Sequence, residues 1–253
     1  MSEVNKNSML YWFPKIKDLG IPIPRTFFVV VKENLLECLD NPGKFPKSLL
    51  ETIEAVAKTV TFNFKRPLFL RTDQLSGKHH WEKTCYVEKA EDLFAHIFQL
   101  IEESASADIL GKPIQAFVLR EFIELDWKFK AFGGMPVARE RRYFIKGGQV
   151  ICHHPYWVEK AIKFWQKNYT PPKNWRQLLK ELNTETSEEI SILTEYSKKV
   201  ATIMKGFWSV DFAMGKDGTW YLIDMALGAD SWHPSDCPNC PEKLRKQMQI
   251  YEG

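Results

Sequence analysis

The sequence predicts an α+β protein of two lobes, built from helices and antiparallel sheets with a cleft between the lobes. Two observations predict it: apolar residues recur at helical spacing in several stretches, and glycine-containing turns separate alternating apolar runs. Helical stretches and hairpins alternate along the chain, an order typical of this fold class. The 253 residues, 44% of them hydrophobic, suffice for one large domain or two packed lobes.

The composition argues against several classes of protein. No stretch approaches the roughly 18 consecutive apolar residues of a membrane span, and the N-terminus lacks the apolar run of a secretory signal. Five cysteines at irregular spacing do not indicate a disulfide framework, so we expect a cytoplasmic protein. The net charge of +3 is spread without a basic tract, so neither a membrane nor a nucleic acid is an expected partner.

The first part of the chain predicts a small leader followed by two helices. The stretch "MLYWFPKIKDLGIPIPRTFFVVV" indicates a short helix, a turn marked by prolines and a strand ending near Lys32, so residues 1–32 form the predicted leader. Two later stretches carry apolar residues at helical spacing. These residues are Leu49, Leu50, Ile53 and Val56 in one stretch and Leu93, Phe94, Ile97, Phe98 and Ile101 in the other.

Strand patterns complete the first lobe, which we place at residues 33–120. The runs "RPLFLRT" and "TCYVE" read as strands joined by the polar loop "DQLSGKHHWEK". Further along, "IQAFVLREFIEL" and "FKAFGG" are expected to extend the same sheet. Both helices should pack on that sheet and bury their apolar faces.

Residues 121–234 form the second predicted lobe, and residues 235–253 form a charged tail, either a surface helix or a frayed end. Thr186 followed by Glu189 has the spacing of a capping box and predicts a helix start. The apolar stripe of that helix consists of Ile190, Leu193, Val200 and Ile203.

Two adjacent glycines predict the first hairpin of this lobe. Gly147-Gly148, inside "RRYFIKGGQVICHHPYW", fits a two-residue turn. Counting outward from the turn sets Arg142 opposite His153 and Phe144 opposite Ile151. A charged residue therefore lies in the middle of a sheet.

A second hairpin carries two acidic residues in apolar flanks. Asp217-Gly218 predicts a two-residue type I′ loop, which sets Asp211 opposite Asp224 and Ala213 opposite Leu222. Two carboxylates with Cβ atoms about 5 Å apart destabilise a sheet unless something compensates their repulsion. Hard oxygen ligands of this kind bind Mg²⁺ at nucleotide sites. The alternative is a solvated outer face on which two acids meet.

Basic residues frame a glycine in the first lobe. Arg71 ends a predicted strand, and Lys78 follows Gly77 in the polar loop. Such a loop can close over a triphosphate, with backbone N–H groups and the lysine contacting phosphate oxygens while the arginine makes a fixed bidentate contact. The alternative is a surface loop with solvated charges.

A cluster of arginines marks the strand before the Gly-Gly turn. Because successive residues of a strand face opposite ways, at least one of Arg139, Arg141 and Arg142 must point inward. That arginine either binds an anion or forms a structural salt bridge to Glu140 or Glu121.

The cysteine pair "CPNC" offers a different chemistry. Cys237 and Cys240, with His233 nearby, supply half of a zinc site. The sequence supplies no fourth ligand at a recognisable spacing, so the pattern favours unligated thiols.

The order of these features resembles the ATP-grasp superfamily. "VARERRYFIKGGQVICHHPYW" is similar to the segment of glutamate-adding ligases in which an arginine precedes a strand and a Gly-Gly turn. "VLREFIEL" falls where those enzymes have their hinge, and "GIPIPRT" resembles the leader before many ATP-grasp cores. The pattern is most similar to the phage and bacterial clade named for its arginines and lysine. That clade is related to the eukaryotic chaperone family that assembles translation initiation factor two.

This resemblance implies a role for each matching residue. Arg71 and Lys78 would bind phosphate groups, Arg142 would bind phosphate or a substrate carboxylate, and all three would neutralise charge during catalysis. The implied ATP-binding residues are Arg71, Lys78, Glu121, Phe122, Ile123, Glu124, Asp126 and Arg142. Of these, residues 121–124 would form the adenine-binding hinge. Glu124 or Asp126 would accept hydrogen bonds from the ribose hydroxyls. The implied Mg²⁺ ligands are Asp211 and Asp224.

The implied activity is that of an ATP-dependent ligase joining a carboxylate to an amine through an acyl phosphate. A protein or peptide is one candidate acceptor. An ATP-binding assembly chaperone without turnover is the alternative. Two departures bear on this choice: Met225 and Ala226 follow Asp224 where the common ending is Glu-x-Asn, and Tyr156 lies where ligases often place another arginine.

Overall fold

The structure of the protein is a computed structural model that describes residues 5–106, 113–164, 169–234, 237, 239–240 and 249–251. The chain divides into two compact units. Unit 1 comprises Met1–Ile23, Glu124–Ala131 and Pro136–Gly253, and unit 2 comprises Pro24–Ile123 and Phe132–Met135. Among the described residues, no helix combines the length and apolar character needed to cross a membrane.

Unit 2 is a four-stranded antiparallel sheet with helices packed on it. Its elements are β1 (Thr26–Val30), α2 (Glu37–Asp40), α3 (Lys47–Val60), β2 (Leu68–Thr72), β3 (Tyr86–Val87), α4 (Leu93–Ser106) and β4 (Ala116–Glu121). The strand order is β1-β4-β2-β3. Ile53 of α3 and Ile97 of α4 are fully buried with Leu119 of β4 in one apolar cluster. Burial of such faces is the main stabilising term of the unit.

Most elements predicted for this part of the chain are confirmed, with two corrections. The loop "DQLSGKHHWEK" was predicted to be polar, but its Trp81 is buried. It also contains regular structure, because Lys78–Lys83 form 3₁₀ turns. The Trp81 ring packs 6.0 Å from Phe69 and 5.6 Å from Tyr86, which explains the turns. The stretch "FKAFGG" does not extend this sheet but pairs in a hairpin of its own.

Unit 1 is built around a second four-stranded antiparallel sheet of order β10-β9-β7-β8. Its elements are α1 (Met9–Ile16), β5 (Trp127–Ala131), β6 (Met135–Ala138), β7 (Glu140–Lys146), β8 (Gln149–Pro155), α5 (Glu159–Phe164), α6 (Trp175–Asn183), α7 (Ser187–Ile203), β9 (Phe207–Met214), β10 (Trp220–Leu227), β11 (Trp232–Pro234) and β12 (Gln249–Tyr251). The α+β class with antiparallel sheets is confirmed.

The units differ from the predicted segments. The predicted leader, residues 1–32, is divided, since α1 lies in unit 1 and β1 lies in unit 2. Part of the predicted tail, residues 235–253, is also ordered into the fold, because β12 pairs in parallel with β11. Residues 241–248 of that tail lie outside the described residues.

Helix α7 confirms one half of the predicted capping box. The Thr186 hydroxyl accepts the Glu189 backbone N–H at 3.2 Å. The Glu189 carboxylate does not turn back to the cap but binds Arg141 on β7. The predicted apolar stripe ends early, because Ile203 is exposed and Val200 is buried.

The hairpin of β7 and β8 has the predicted Gly147-Gly148 turn with Lys146 opposite Gln149. A bulge between Phe144 and Ile145 then shifts the register by one residue. The predicted partners were therefore wrong: Arg142 lies opposite His154, not His153, and Phe144 lies opposite Cys152, not Ile151.

The hairpin of β9 and β10 has a different turn from the predicted one. Gly215 N–H donates to the Thr219 carbonyl at 2.8 Å, so the loop contains three residues and ends with Gly218 at φ +82°. Near this loop Ala213 pairs with Tyr221, not Leu222. A bulge between Leu222 and Asp224 then restores the register, and Asp211 lies opposite Asp224 as predicted.

Candidate functional site

Four polar side chains form one row across the sheet of unit 1. Asp224 on β10 pairs with Asp211 on β9, Asp211 pairs with Arg142 on β7, and Arg142 pairs with His154 on β8. Directly opposed residues of an antiparallel sheet share a face. The row therefore brings together three residues predicted for the site, Arg142, Asp211 and Asp224.

Arg142 binds Asp211 through two parallel hydrogen bonds. Its Nε donates to Oδ1 and its Nη2 donates to Oδ2, each at 2.7 Å, and both residues are buried. Burial by itself lowers the pKa of Arg142, but the charge and hydrogen bonds of Asp211 raise it above its ordinary value, with a further contribution from Asp224. The guanidinium is therefore permanently charged.

Two further contacts fix the Arg142 side chain. Its Nη1 donates to the Trp232 carbonyl at 3.1 Å. Its guanidinium carbon lies 4.8 Å from the centre of the Tyr156 ring, a cation–π contact. The guanidinium is thus held from three sides.

This pairing changes the interpretation of the two acids. The repulsion between Asp211 and Asp224 is compensated by Arg142 within the protein, so the pair does not require a cation for that purpose. Asp224 is half-buried, and its Oδ1 accepts the Met225 backbone N–H at 3.0 Å. Carboxylate oxygens on adjacent strands still present the hard donors that suit Mg²⁺.

The neighbouring arginines have structural partners. Arg141 is fully buried on the other face of β7, where it binds Glu189 and donates to the carbonyls of Leu182 at 3.0 Å and Thr184 at 3.2 Å. Arg139 lies 3.8 Å from Asp126. These arginines therefore pair with Glu189 and Asp126, two acids that the sequence did not single out as their partners.

The two acids predicted to contact ribose, Glu124 and Asp126, lie just before β5 in the chain. Glu124 forms an exposed ion pair with Lys216 at 2.7 Å. Asp126 lies 3.8 Å from Arg139 and 4.0 Å from Lys128. Both acids belong to unit 1.

In unit 2, Arg71 and Lys78 lie at opposite ends of one loop. Arg71, on β2, is buried, and its Nε donates to the Thr72 carbonyl at 3.1 Å. Lys78 begins the 3₁₀ turns and is half-buried. Asp73, which lies between Arg71 and Lys78 in the chain, is buried. Its Oδ1 accepts hydrogen bonds from the N–H groups of Gln115 at 3.0 Å and Ala116 at 3.3 Å.

The glycine before Lys78 is held tightly. Gly77 has φ +64°, and a Cβ atom there would lie 2.7 Å from Leu100 Cδ2. The Thr84 hydroxyl donates to the Gly77 carbonyl at 2.6 Å and also contacts the His80 carbonyl. The backbone at Gly77 is therefore fixed by packing and hydrogen bonds.

The predicted hinge follows β4 in unit 2. Glu121 forms two hydrogen bonds with the backbone of Arg25. The Glu121 N–H donates to the Arg25 carbonyl at 2.9 Å, and Glu121 Oε1 accepts from the Arg25 N–H at 2.8 Å. Phe122 packs edge-on against Tyr86, with ring centres 5.2 Å apart. Ile123 ends this part of the unit.

Sequence reasoning missed several residues that these sites use. His154 joins the row because of the bulge, and burial lowers its pKa to about 3, so its ring is neutral. The bulge has no glycine or other marker at that point of the sequence. Asp73 and Thr84 bind backbone groups of other segments, and such long-range partners leave no local pattern.

Comparison with known proteins gives one family match. Residues 57–245 match the model of an ATP-grasp domain family, the third family of the clade named for two arginines and a lysine. No curated protein matches the sequence.

Three solved structures illustrate the structural similarity. C-terminally truncated Cdc123 from Schizosaccharomyces pombe has a TM-score of 0.54 at 14% identity, over 90% of this chain and 87% of that chain. The biotin carboxylase domain of Hydrogenobacter thermophilus 2-oxoglutarate carboxylase, solved with MgADP, ADP and bicarbonate, has a TM-score of 0.51 at 14% identity, over 87% of this chain and 39% of that chain. D-alanine–D-alanine ligase from Bacillus anthracis, solved with ATP, has a TM-score of 0.44 at 11% identity, over 87% and 52%. The first two show a shared fold.

Proposed function

The chain belongs to the third family of the arginine- and lysine-named clade of ATP-grasp domains, and we propose that it is an ATP-dependent ligase joining a carboxylate to an amine. The observation that carries the proposal is the row of Arg142, Asp211 and Asp224 on one face of the unit 1 sheet. Two carboxylates beside a fixed cation are suited to a metal-bound polyphosphate, because the carboxylates supply hard oxygen ligands and Arg142, which is paired with Asp211, places a permanent positive charge beside them.

The residues of this row fit Mg²⁺ bound with ATP. Asp211 and Asp224 would hold the metal ion through oxygens on adjacent strands. Mg-ATP supplies the γ-phosphoryl group that converts the substrate carboxylate into an acyl phosphate, with ADP leaving. The amine then attacks the acyl carbon, phosphate departs, and the amine proton passes to solvent.

Little covalent chemistry falls to the protein in such a reaction. Positioning and charge neutralisation account for most of the rate enhancement in phosphoryl transfer. In unit 1, Arg142 would neutralise phosphate or substrate carboxylate charge. In unit 2, Arg71 and Lys78 would contact phosphate oxygens, while backbone groups near Phe122 and Ile123 would meet the purine edge.

An ATP-binding assembly chaperone is the second candidate. One observation favours it: both oxygens of Asp211 already accept hydrogen bonds from Arg142. In addition, Met225 and Ala226, which follow Asp224, offer no side-chain oxygen to a metal ion. A site with fewer metal ligands suits nucleotide binding better than rapid turnover.

Nucleotide binding is tested by calorimetry and thermal unfolding with ATP, with and without Mg²⁺. ATP at about a hundred times its Kd should stabilise the wild-type protein by roughly 2.7 kcal/mol. Asp224→Asn should weaken Mg²⁺-dependent binding roughly tenfold, because an amide is a poorer ligand for a hard cation. Asp18→Asn, which removes an exposed acid of unit 1, is the control. Absence of binding to the wild-type protein would refute the proposal.

Turnover separates the two candidates. Wild-type protein is incubated with Mg-ATP and a panel of amino acids, peptides and polyamines, and release of ADP and phosphate is measured. Acceptor-dependent release supports the ligase. If the protein binds ATP but releases no ADP or phosphate with any compound of the panel, the result supports the chaperone.

A further inference from the structure

Three potential metal ligands converge in unit 1 beside the row described above, where the His233 ring lies 5.0 Å from the ring of His154. The ligating atoms of Cys152, His233 and Cys240 all lie within 4.8 Å of one another, and all three residues are buried. Cys152 is on β8, His233 is on β11, and Cys240 follows β11 in the chain. The fold therefore brings together side chains that are more than 80 residues apart in sequence.

Cys237 lies beside this group. Its thiol donates to the carbonyl of His153, the neighbour of Cys152 on β8, at 3.5 Å. The Cys240 N–H donates to the Cys237 carbonyl at 3.3 Å, so the C-x-x-C segment turns between the two thiols. Cys237 is 2% exposed, which matches the burial of the other members.

The hydrogen bonding of His233 sets which ring nitrogen faces the thiols. Its Nδ1 lies 2.8 Å from the Pro234 carbonyl oxygen, which can only accept, so Nδ1 carries the proton. Nε2 is then unprotonated, and it lies 3.4 Å from Cys152 Sγ. A backbone carbonyl that orients an imidazole in this way is typical of histidines that bind metal ions.

One of these separations fits a tetrahedral zinc site directly. Zinc bonds of about 2.3 Å to sulfur and 2.0 Å to nitrogen place neighbouring ligand atoms about 3.5 to 3.8 Å apart. The separation between Nε2 and Sγ is 3.4 Å, and the other separations in the three-residue group extend up to 4.8 Å, so bound zinc would draw these ligands closer together. The five cysteines are free thiols, so no disulfide accounts for the convergence.

We propose that Cys152, Cys237, Cys240 and Nε2 of His233 bind one zinc ion in a closed structural site. Three thiolates and one imidazole are a recognised ligand set for structural zinc, and soft sulfur ligands select zinc over magnesium. Binding releases the three thiol protons to solvent. With four protein ligands the site has no open position, so it stabilises the fold and does not activate water.

The zinc site also positions a residue of the candidate functional site. His233 follows Trp232, whose carbonyl accepts from Nη1 of Arg142, and Cys152 lies two residues before His154, the cross-strand partner of Arg142. Zinc would tie β8 to the segment that begins at β11. The contact between Arg142 and Trp232 is therefore held from both sides.

Metal analysis of the full chain tests the proposal. Protein purified without chelators should contain about one zinc ion per chain by mass spectrometry, and Cys152→Ala, Cys237→Ala and Cys240→Ala should each lower the content at least about tenfold. Cys38→Ala and Cys85→Ala, which change buried cysteines of unit 2, are matched controls and should retain the metal. Zinc content that is unchanged in the three ligand variants would overturn the assignment.

A second measurement uses only the wild-type protein, so the proposal can be tested even if the cysteine variants fail to fold. After chelation, Co²⁺ is added and the absorption spectrum recorded. Thiolate-to-cobalt charge transfer with ligand-field bands of tetrahedral symmetry supports the site, and addition of zinc should abolish these bands. Wild-type protein without stoichiometric zinc and without this cobalt spectrum, or with a native disulfide between Cys237 and Cys240, would refute it.

Discussion

Arg142 and Asp211 form a buried, bidentate ion pair across two adjacent strands, with both N···O distances at 2.7 Å. Asp224, on the other side of Asp211, is half-buried and accepts the backbone N–H of Met225. The two acids are cross-strand neighbours, yet their structural roles differ. Removing one charge should therefore affect folding very differently from removing the other.

Asp211→Asn should destabilise the ligand-free protein by about 3 to 5 kcal/mol, because it leaves the buried guanidinium of Arg142 without its counter-charge. Asp224→Asn should change the free energy of unfolding by less than about 1 kcal/mol, since it only removes a like charge from a cross-strand pair. Urea unfolding of both variants measures these values. Equal losses in the two variants would contradict the difference in roles.

The glycine before Lys78 allows a test of packing around the loop of unit 2. Gly77→Ala combines left-handed backbone strain with a Cβ atom 2.7 Å from Leu100 Cδ2. Gly147→Ala has a similar φ of +58° but meets nothing within 4 Å, so it is the matched control for strain alone.

We expect Gly147→Ala to cost about 1 kcal/mol and Gly77→Ala to cost a further 1 to 3 kcal/mol, roughly, from overpacking. Thermal and urea unfolding measure both. If the two substitutions cost the same, Leu100 and Thr84 do not pack against Gly77 as described.

The thiol of Cys85 predicts a dependence of stability on alkaline pH. Burial raises the pKa of Cys85 to about 12 from 9.0, although its hydrogen bond with Thr84 acts in the opposite direction. Between these values the unfolded chain loses the thiol proton and the folded chain keeps it, so stability falls as pH rises above 9.

At about pH 10.5 this effect amounts to about 2 kcal/mol relative to about pH 8. This loss of stability should be absent in Cys85→Ala, which lacks the thiol and keeps all other titrating groups of the wild-type protein. Urea unfolding of both proteins at the two pH values measures the difference. Identical pH dependence would show that the Cys85 pKa is not raised in the folded state.

The helices and most strands could be predicted from sequence because their signals are local. The spacing of Leu49 and Ile53 specifies α3, and Gly147-Gly148 specifies a turn. Bulges were not predictable, because they depend on packing between strands. In the β9–β10 hairpin two errors cancelled: the three-residue loop shifted the register once, and the bulge before Asp224 shifted it back.

The candidate site was predictable only in part, for the same reason. Asp211 and Asp224 were placed by counting from a turn, but the partner Arg142 comes from a strand about 70 residues away. Cys152 and Cys237 are likewise far apart in the chain, so the sequence showed only part of the proposed zinc site. Contacts between distant segments are set by the topology, and one sequence does not display it.

Lys78 provides the sharpest test of catalysis by this chain. If the lysine contacts the phosphoryl group as it is transferred, Lys78→Ala should lower kcat with acceptor present by about a hundredfold or more, roughly 3 kcal/mol in the activation barrier. The Kd for ATP should rise much less, since the contact strengthens in the transition state.

Lys83→Ala removes an exposed lysine at the other end of the same 3₁₀ turns and serves as the control. It should leave both kcat and Kd within about twofold of the wild-type values, because surface substitutions of this kind rarely exceed about 0.5 kcal/mol. Parallel loss of ATP affinity and turnover in Lys78→Ala would mean that the lysine binds ground state and transition state equally. An unchanged kcat would remove Lys78 from the catalytic residues, while leaving the proposed roles of Arg142, Asp211 and Asp224 open to their own test through Asp224→Asn.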